Sequence, residues 1–267
     1  MSAGAFDFYV AGRSRLHRLD PRVKLALVAA GSVVMFLWLN IPLLVGVLAG
    51  IHLLLLASGY PWSKLLAIWR AIALLLLLIV LIWPVFDKTG DLLVSLGPLN
   101  IHDDALLRGV ANAARIAAIN FLFILWIGTT DARELVRGFV RLGLPFRWGM
   151  ALTIGLRFIP TFAGTFATVS DAQQARGLVL RGWWYKRARG MLPIFIAALV
   201  SALRASEQLA MTLEARGFGA SRQRTTLRDI RMTPLDWLVL VVTLSGSGVL
   251  LWLTLTEGFG RGLLTLL

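Results

Sequence analysis

Five apolar runs govern what this chain can fold into. The first extends from Val23 to Leu39, and after the break Asn40-Ile-Pro42 a second ends at about Ala57. Three more cover Ala71 to Pro84, Ala105 to Gly128 and Trp237 to Thr256. Hydrocarbon offers a backbone amide no water, so an apolar run approaching roughly 20 residues is expected to cross a bilayer as a helix. The residues are 58% hydrophobic and the mean hydropathy is +0.77, above the soluble range. The fold class that follows is all-α, a polytopic membrane helix bundle of about five transmembrane helices. Residues 1–24 are polar and basic, without a small-residue cleavage site behind a short apolar core, so the first run is expected to be retained.

Local signals sharpen the boundaries. Asp20 is a plausible helix N-cap with Pro21 at the first helical position. Gly46 and Gly50 form a small-xxx-small pair that permits close approach, within the subunit or against a partner. Tyr60, Trp62 and Trp69 beside Lys64 and Arg70 have an interfacial composition. Residues 85–104 carry Asp87, Asp91, Asp103 and Asp104 against Lys88. Arg108 and Arg115 fall on one face of the fourth run, where an arginine at mid-bilayer costs about 2.5–3.5 kcal/mol. Snorkelling toward an interface is the preferred expectation for both, a partner the alternative.

Charge sets orientation. The chain has 27 Lys and Arg against 14 Asp and Glu, and residues 131–231 alone hold 16 against 6. With an odd number of spans, the basic N-terminal flank, the Lys64/Arg70 loop and this block share one side, and the Asn40–Pro42 turn and the acidic loop share the other. The positive-inside rule makes the first side cytoplasmic in the cell inner (plasma) membrane and puts the C-terminus outside. Three segments result: transmembrane helices over 1–130, cytoplasmic coupling helices over 131–232, and a final transmembrane helix with its tail over 233–267.

The basic block is also apolar. Asp131 to Glu134 has capping-box spacing, and the helix it opens sets Arg133, Arg137 and Arg141 on one stripe, opposite Leu135, Val136, Phe139 and Leu142. A long helix is expected from about Trp148 to Arg176, interrupted by Pro160, and another from Pro193 to Arg216. Between them Arg181 to Arg189 forms an aromatic-basic patch suited to lipid headgroups. Making spans of 146–170 and 191–204 would put that patch outside and strand Arg157 in lipid. Amphipathic helices at the cytoplasmic interface are therefore preferred.

Each long helix ends in the same tripeptide, Ala175-Arg176-Gly177 and Ala215-Arg216-Gly217. A glycine just past a helix takes the left-handed cap at little steric cost. Arginine in the last turn complements the helix dipole and presents a planar fork suited to carboxylates on another surface. One such ending is ordinary; two within one basic segment suggest a device with two arms.

These motifs, with Leu19-Asp-Pro-Arg-Val-Lys-Leu25, Thr129-Thr-Asp131 leading to Leu142-Gly-Leu-Pro145, and Leu156-Arg-Phe-Ile-Pro160, resemble the transmembrane (T) component of energy-coupling factor (ECF) transporters, a type of ABC transporter. The resemblance covers nearly the whole chain; Ala11 stands where that family's N-terminal signature has proline. It implies crossed coupling helices whose Ala-Arg-Gly ends dock in two ATP-binding-cassette subunits. The docking residues would be Ala175, Arg176, Gly177, Ala215, Arg216 and Gly217. It also implies a membrane S component that carries a vitamin or metal ion. Lipid bilayer is the remaining partner, and no nucleic acid is expected.

Other classes find less support. No Gly-rich Lys-Ser/Thr phosphate loop is present, so ATP hydrolysis is not expected of this chain. His17, His52 and His102 lie in separate regions, and there is no cysteine, so neither a zinc hydrolase nor a thiolate site is expected. Ser245 breaks the esterase-elbow pattern before Gly246-Ser247-Gly248, and acidic residues in the spans are too few for a proton relay. No catalytic residue, cofactor or metal is therefore expected. The alternatives are a membrane scaffold for another cytoplasmic partner and a membrane-embedded lipid-handling enzyme. On the five-span topology, a label at Leu267 reacts from outside the cell and one at Gln223 only from the cytoplasm. Labelling of Leu267 only after permeabilisation contradicts it.

Overall fold

The computed structural model describes residues 9–10, 12, 14–87, 90, 92–96, 99–178, 183–218 and 232–264. Ala11, Lys88, Asp91, Arg181, Gln223 and Leu267 lie outside them. In chain order the elements are α1 (Arg15–Arg18), α2 (Pro21–Leu37), α3 (Ile41–Ala57), α4 (Trp62–Phe86), β1 (Leu92–Leu96), β2 (Leu99–His102), α5 (Asp103–Thr129), α6 (Ala132–Arg141), α7 (Phe146–Ala175), α8 (Trp184–Ala215) and α9 (Pro234–Thr256). The fold is helical apart from the antiparallel β1–β2 hairpin in the acidic loop. Contacts divide the chain into two compact units, Met1–Leu142 with Ile230–Leu267, and Gly143–Asp229. By those contacts α6, grouped on charge with the coupling helices, belongs to the first unit, where it packs on α2.

In the first unit α5 is the central helix. Its Phe121 is fully buried against Trp69 of α4 and His52 of α3, with ring centroids 5.0 and 4.4 Å away. Trp69 Nε1 donates to His52 Nε2 at 3.0 Å, so a hydrogen bond joins α3 to α4 inside the apolar core. Close helix approach occurs at Gly109 of α5, where an added Cβ would lie 3.1 Å from the Val80 carbonyl oxygen of α4. Gly46 and Gly50, the pair expected to permit such an approach, have no described atom within 4 Å of an added Cβ.

Helices α2 and α9 run parallel in strict register. Asp20 N donates to Asp236 Oδ1 at 2.9 Å and Trp38 Nε1 donates to Thr254 Oγ1 at 3.0 Å, two pairs with the same separation of 216 residues. The end of α5 lies at the α2 start as well, where Lys24 Nζ donates to the Thr129 carbonyl at 2.9 Å. The first unit thus releases the chain and takes it back at one end of its bundle. With α2, α5 and α9 as spans, the connection between them crosses the bilayer an even number of times, zero included.

The opposite end of α2 solves a backbone problem. At 17 residues each, α2 and α3 are about 26 Å long, short of the ~30 Å hydrocarbon layer. The turn between them carries helix-end groups without intrahelical partners. The segment after α9 supplies acceptors: Leu39 N and Asn40 N donate to the Gly260 carbonyl at 2.8 and 3.0 Å, and Ile41 N to the Leu263 carbonyl at 3.0 Å. Arg115 of α5 supplies donors, its Nε at 3.0 Å and Nη2 at 2.5 Å from the Trp38 carbonyl oxygen. Arg108 lies 3.7 Å from Asp87. Of the two expectations for these arginines, a partner is seen for both. Each meets a partner, because α2 ends beside the middle of α5 and the end of α4 brings an acid to Arg108.

Two boundaries also differ from expectation. Helix α7 is continuous through Pro160, and α8 begins at Trp184 with Pro193 inside it. Proline removes one hydrogen bond from a helix interior, at ~3 kcal/mol, and a helix of this length accommodates the loss where flanking turns persist. Five described helices are long and apolar enough to cross a membrane: α4, α5, α7, Arg187–Ala215 of α8, and α9. Length and composition alone therefore do not separate α7 and α8 from spans.

Arg115→Leu is expected to cost about 1.5–3 kcal/mol, the usual range for a hydrogen bond to a charged group. A melting curve of the detergent-purified chain reads it. A melting temperature equal to that of wild type contradicts the clamp.

Candidate functional site

The second unit consists of α7, α8 and the segments that flank them. Phe146 at the start of α7 packs on Phe218 just past the end of α8, with ring centroids 6.3 Å apart. Phe162, Ala163, Thr165 and Phe166 from the middle of α7 share a cleft with Phe195, Ala198, Leu199 and Ala202 from the middle of α8. The start of one helix against the end of the other, with middles facing, makes the pair antiparallel. Alanines at 163, 198 and 202 and the exposed phenylalanines at 162, 166 and 195 line this cleft, which stays open.

Both Ala-Arg-Gly sequences close their helices in one geometry. Arg176 has φ −83° and ψ 8°, and Arg216 has φ −86° and ψ 8°. Gly177 follows with φ +93° and Gly217 with φ +72°, left-handed values that glycine adopts without strain. Gly177 N donates to the Gln174 carbonyl at 3.0 Å and Leu178 N to the Gln173 carbonyl at 3.1 Å. Gly217 N to Glu214 O at 2.8 Å and Phe218 N to Leu213 O at 2.9 Å repeat the pattern. Each is a Schellman cap, which satisfies two of the carbonyls a helix end leaves open. An added Cβ on either glycine meets no described atom within 4 Å. The demand for glycine is therefore conformational, not steric.

Antiparallel pairing sends the two arginines in opposite directions. Each lies fourteen residues beyond a residue of the shared cleft, Arg176 beyond Phe162 and Arg216 beyond Ala202. At 1.5 Å per residue each arm is ~21 Å long, which puts the two helix ends about 40 Å apart. Both side chains are exposed, and neither makes a hydrogen bond or ion pair with a described residue. Antiparallel pairing thus puts one Ala-Arg-Gly ending at each end of the pair. Ala175 and Ala215 are the last helical residues.

The aromatic-basic patch is partly described. Trp183, Trp184 and Tyr185 are exposed at the start of α8, next to exposed Arg187 and Arg189. Among the described residues no three His, Asp or Glu side chains gather as a metal site.

A second polar cluster, not anticipated from the sequence, lies in the first unit. Lys24 is only 5% exposed, beside buried Asp20, Asp236, Thr129 and Thr130. Its sequence signals were a lone lysine at the head of an apolar run and the Thr233-x-x-Asp236 capping box. The contacts that join them come from positions more than a hundred residues apart.

Gly177→Ala and Gly217→Ala are each expected to loosen one helix end by about 1–2 kcal/mol, the cost of a left-handed residue with a Cβ. Hydrogen exchange at the caps, Gln173–Leu178 or Leu213–Phe218, should rise roughly five- to thirtyfold while α9 is unaffected. Unchanged cap exchange contradicts the conformational reading.

The cobalt transport protein family (CbiQ) matches residues 12–227. The chain is 34% identical over 257 residues to an energy-coupling factor transporter transmembrane protein of Listeria innocua, covering 92% of this chain and 96% of that one. It is 32% identical to the protein of the same description from Bacillus selenitireducens, over 88% of this chain and 91% of the relative. With the Bacillus subtilis protein it shares 27% identity over 92% and 96%. A multi-pass helical chain matched end to end in this way belongs to the CbiQ family, as a transmembrane component of an energy-coupling factor transporter.

Proposed function

We propose that the chain is the coupling subunit of an ECF-type importer, passing ATP-driven motion of two ABC-type ATPase subunits to a substrate-binding S component. The observation that carries this reading is the pair of identically capped, outward-facing arginines at opposite ends of the α7–α8 pair. A single docking arm would need one. Two forks in one backbone geometry suit two copies, or two homologues, of one partner. Ala175-Arg176-Gly177 docks on one ATPase and Ala215-Arg216-Gly217 on the other. Each guanidinium meets a carboxylate or a row of carbonyl oxygens in a groove of its partner.

The apolar surface of the same helices suits the membrane partner. Ile159, Phe162 and Phe166 on α7 and Phe195, Ile196 and Leu199 on α8 are exposed, more apolar area than a cytoplasmic helix pair leaves bare. An S component and the lipid interface cover it. ATP is hydrolysed in the partner subunits, and specificity resides in the S component, whose cargo is a vitamin or a metal ion. The N-terminus and the coupling helices face the cytoplasm across the plasma membrane, as the arginine- and lysine-rich flanks favour.

Truncating one partner of a desolvated charge pair costs about 2–5 kcal/mol, a roughly thirty- to several-thousandfold loss of affinity. Arg176→Ala or Arg216→Ala alone should weaken the complex yet retain some ATPase through the other arm. The double substitution should release both ATPases in a detergent pull-down, and lysine should rescue poorly because it lacks the planar fork. A double alanine variant that retains both ATPases like wild type leaves the arms as helix caps only.

A further inference from the structure

The buried cluster around Lys24 lies where the first unit gives up the chain and takes it back. Its ammonium has three N–H donors and three acceptors within reach. These are the Thr129 carbonyl at 2.9 Å, Thr130 Oγ1 at 3.3 Å and the His17 carbonyl at 3.3 Å. Thr129 is the last residue of α5, so its carbonyl has no partner along its own helix. Two residues later Asp131 caps α6, whose Gly138 would place a Cβ 3.2 Å from Pro21 of α2. The outgoing chain is thereby held to the first turn of α2 as far as α6.

The returning chain is held to the same turn. Thr233 and Asp236 form a capping box at the start of α9, with Thr233 N donating to Asp236 Oδ2 at 2.8 Å and Asp236 N to Thr233 Oγ1 at 3.3 Å. The other carboxylate oxygen, Asp236 Oδ1, accepts from Asp20 N at 2.9 Å. Asp20 in turn caps α2 by accepting from Arg22 N at 2.9 Å. Asp20, Lys24 and Asp236 are each at most 5% exposed. Burying three charged groups is costly unless each is fully engaged, and a bundle built for stability alone does as well with apolar side chains. What the cluster adds is direction, because hydrogen bonds between helix ends fix their relative position where apolar contacts would let them slide.

We infer that Lys24 and Asp236, the latter through the Asp20 backbone amide, are positioning residues that act as a force-bearing anchor. They clamp the outgoing end of α5–α6 and the incoming end of α9 to one turn of α2. Motion of the α7–α8 pair is then delivered to the membrane bundle as a whole, not absorbed by separation of its two roots. The inference rests on the coupling reading proposed above and adds where the load enters the bundle.

The chain has no cysteine, so introduced labels are unique. Spin labels at Arg133→Cys and Leu235→Cys, exposed positions at the starts of α6 and α9, report the distance between the roots. The measurement uses the full complex with the ATPases that co-purify, with and without a non-hydrolysable ATP analogue. In the wild-type background the distance should be the same in both states. With Lys24→Met it should depend on nucleotide, shifting by about 2 Å or more, the scale of helix shifts in switching proteins. Lys24→Arg, which keeps the donors, should restore the nucleotide-independent distance. A root distance that already changes with nucleotide in wild type overturns the inference. So does a Lys24→Met distance that is unchanged, or broadened equally in both states as a merely structural role would give. If Lys24→Met does not accumulate, Thr130→Val removes one acceptor and is read the same way, a nucleotide-independent distance again overturning the anchor. A wild-type chain that brings no ATPase with it fails the coupling reading instead.

Discussion

Backbone groups at helix ends must find partners where water is absent, and the first unit is arranged around that constraint. Two helices of 17 residues leave a turn whose amides and carbonyls have no intrahelical partner. The tail after α9 and Arg115 of α5 meet that need, and in doing so join the first, fourth and last apolar runs into one bundle. Tail and turn fit closely: Gly260 has φ +78°, and a Cβ there would lie 2.6 Å from the Trp38 ring. At the other end of α2 the same constraint is met by Lys24 and Asp236. Hydrogen bonds thus set which helices are neighbours at both ends, and apolar packing around Phe121 fills the space between them.

The second unit meets the constraint differently, and the difference underlies the proposed function. Its two helices end in Schellman caps that satisfy the final carbonyls with the chain's own amides. No other element is needed at those ends, so the arginines that precede the glycines are left for another surface. In the first unit Arg115 and Lys24 are consumed by orphan carbonyls; in the second, glycine does that work and arginine is presented outward. The antiparallel pairing of α7 and α8 then converts a repeated tripeptide into a two-ended device about 40 Å long.

The features legible in the sequence were those encoded within a few residues of themselves. The Asp20-Pro21 start and both Ala-Arg-Gly endings are short-range chemistry and form as their residues imply, while Asp131 caps α6 through Arg133 N and not through the capping box its spacing with Glu134 suggested. The apolar runs were legible because length and composition are collective properties of a segment. What escaped was long-range or competitive. The Arg115–Trp38 contact joins positions 77 apart and the Lys24–Thr129 contact positions 105 apart, and nothing local announces either. Pro160 and Pro193 suggested boundaries, yet the turns on both sides kept each helix continuous. The pairing of α7 with α8 was expected only from the family resemblance, because the alanines and phenylalanines of its cleft read equally well as a lipid-facing surface.

On the proposed function, Arg176 and Arg216 each engage one ATPase subunit. Ala172→Cys and Thr212→Cys lie one helical turn before the two arginines, both exposed, in a chain otherwise free of cysteine. Short bifunctional cross-linking from each position in the assembled transporter, followed by mass spectrometry of the intact adducts, counts the partners directly. Each single variant should yield this chain joined to one ATPase, and the double variant should yield this chain joined to two. Adducts with lipid or membrane partners alone, or a double variant that never carries a second ATPase, would contradict the account.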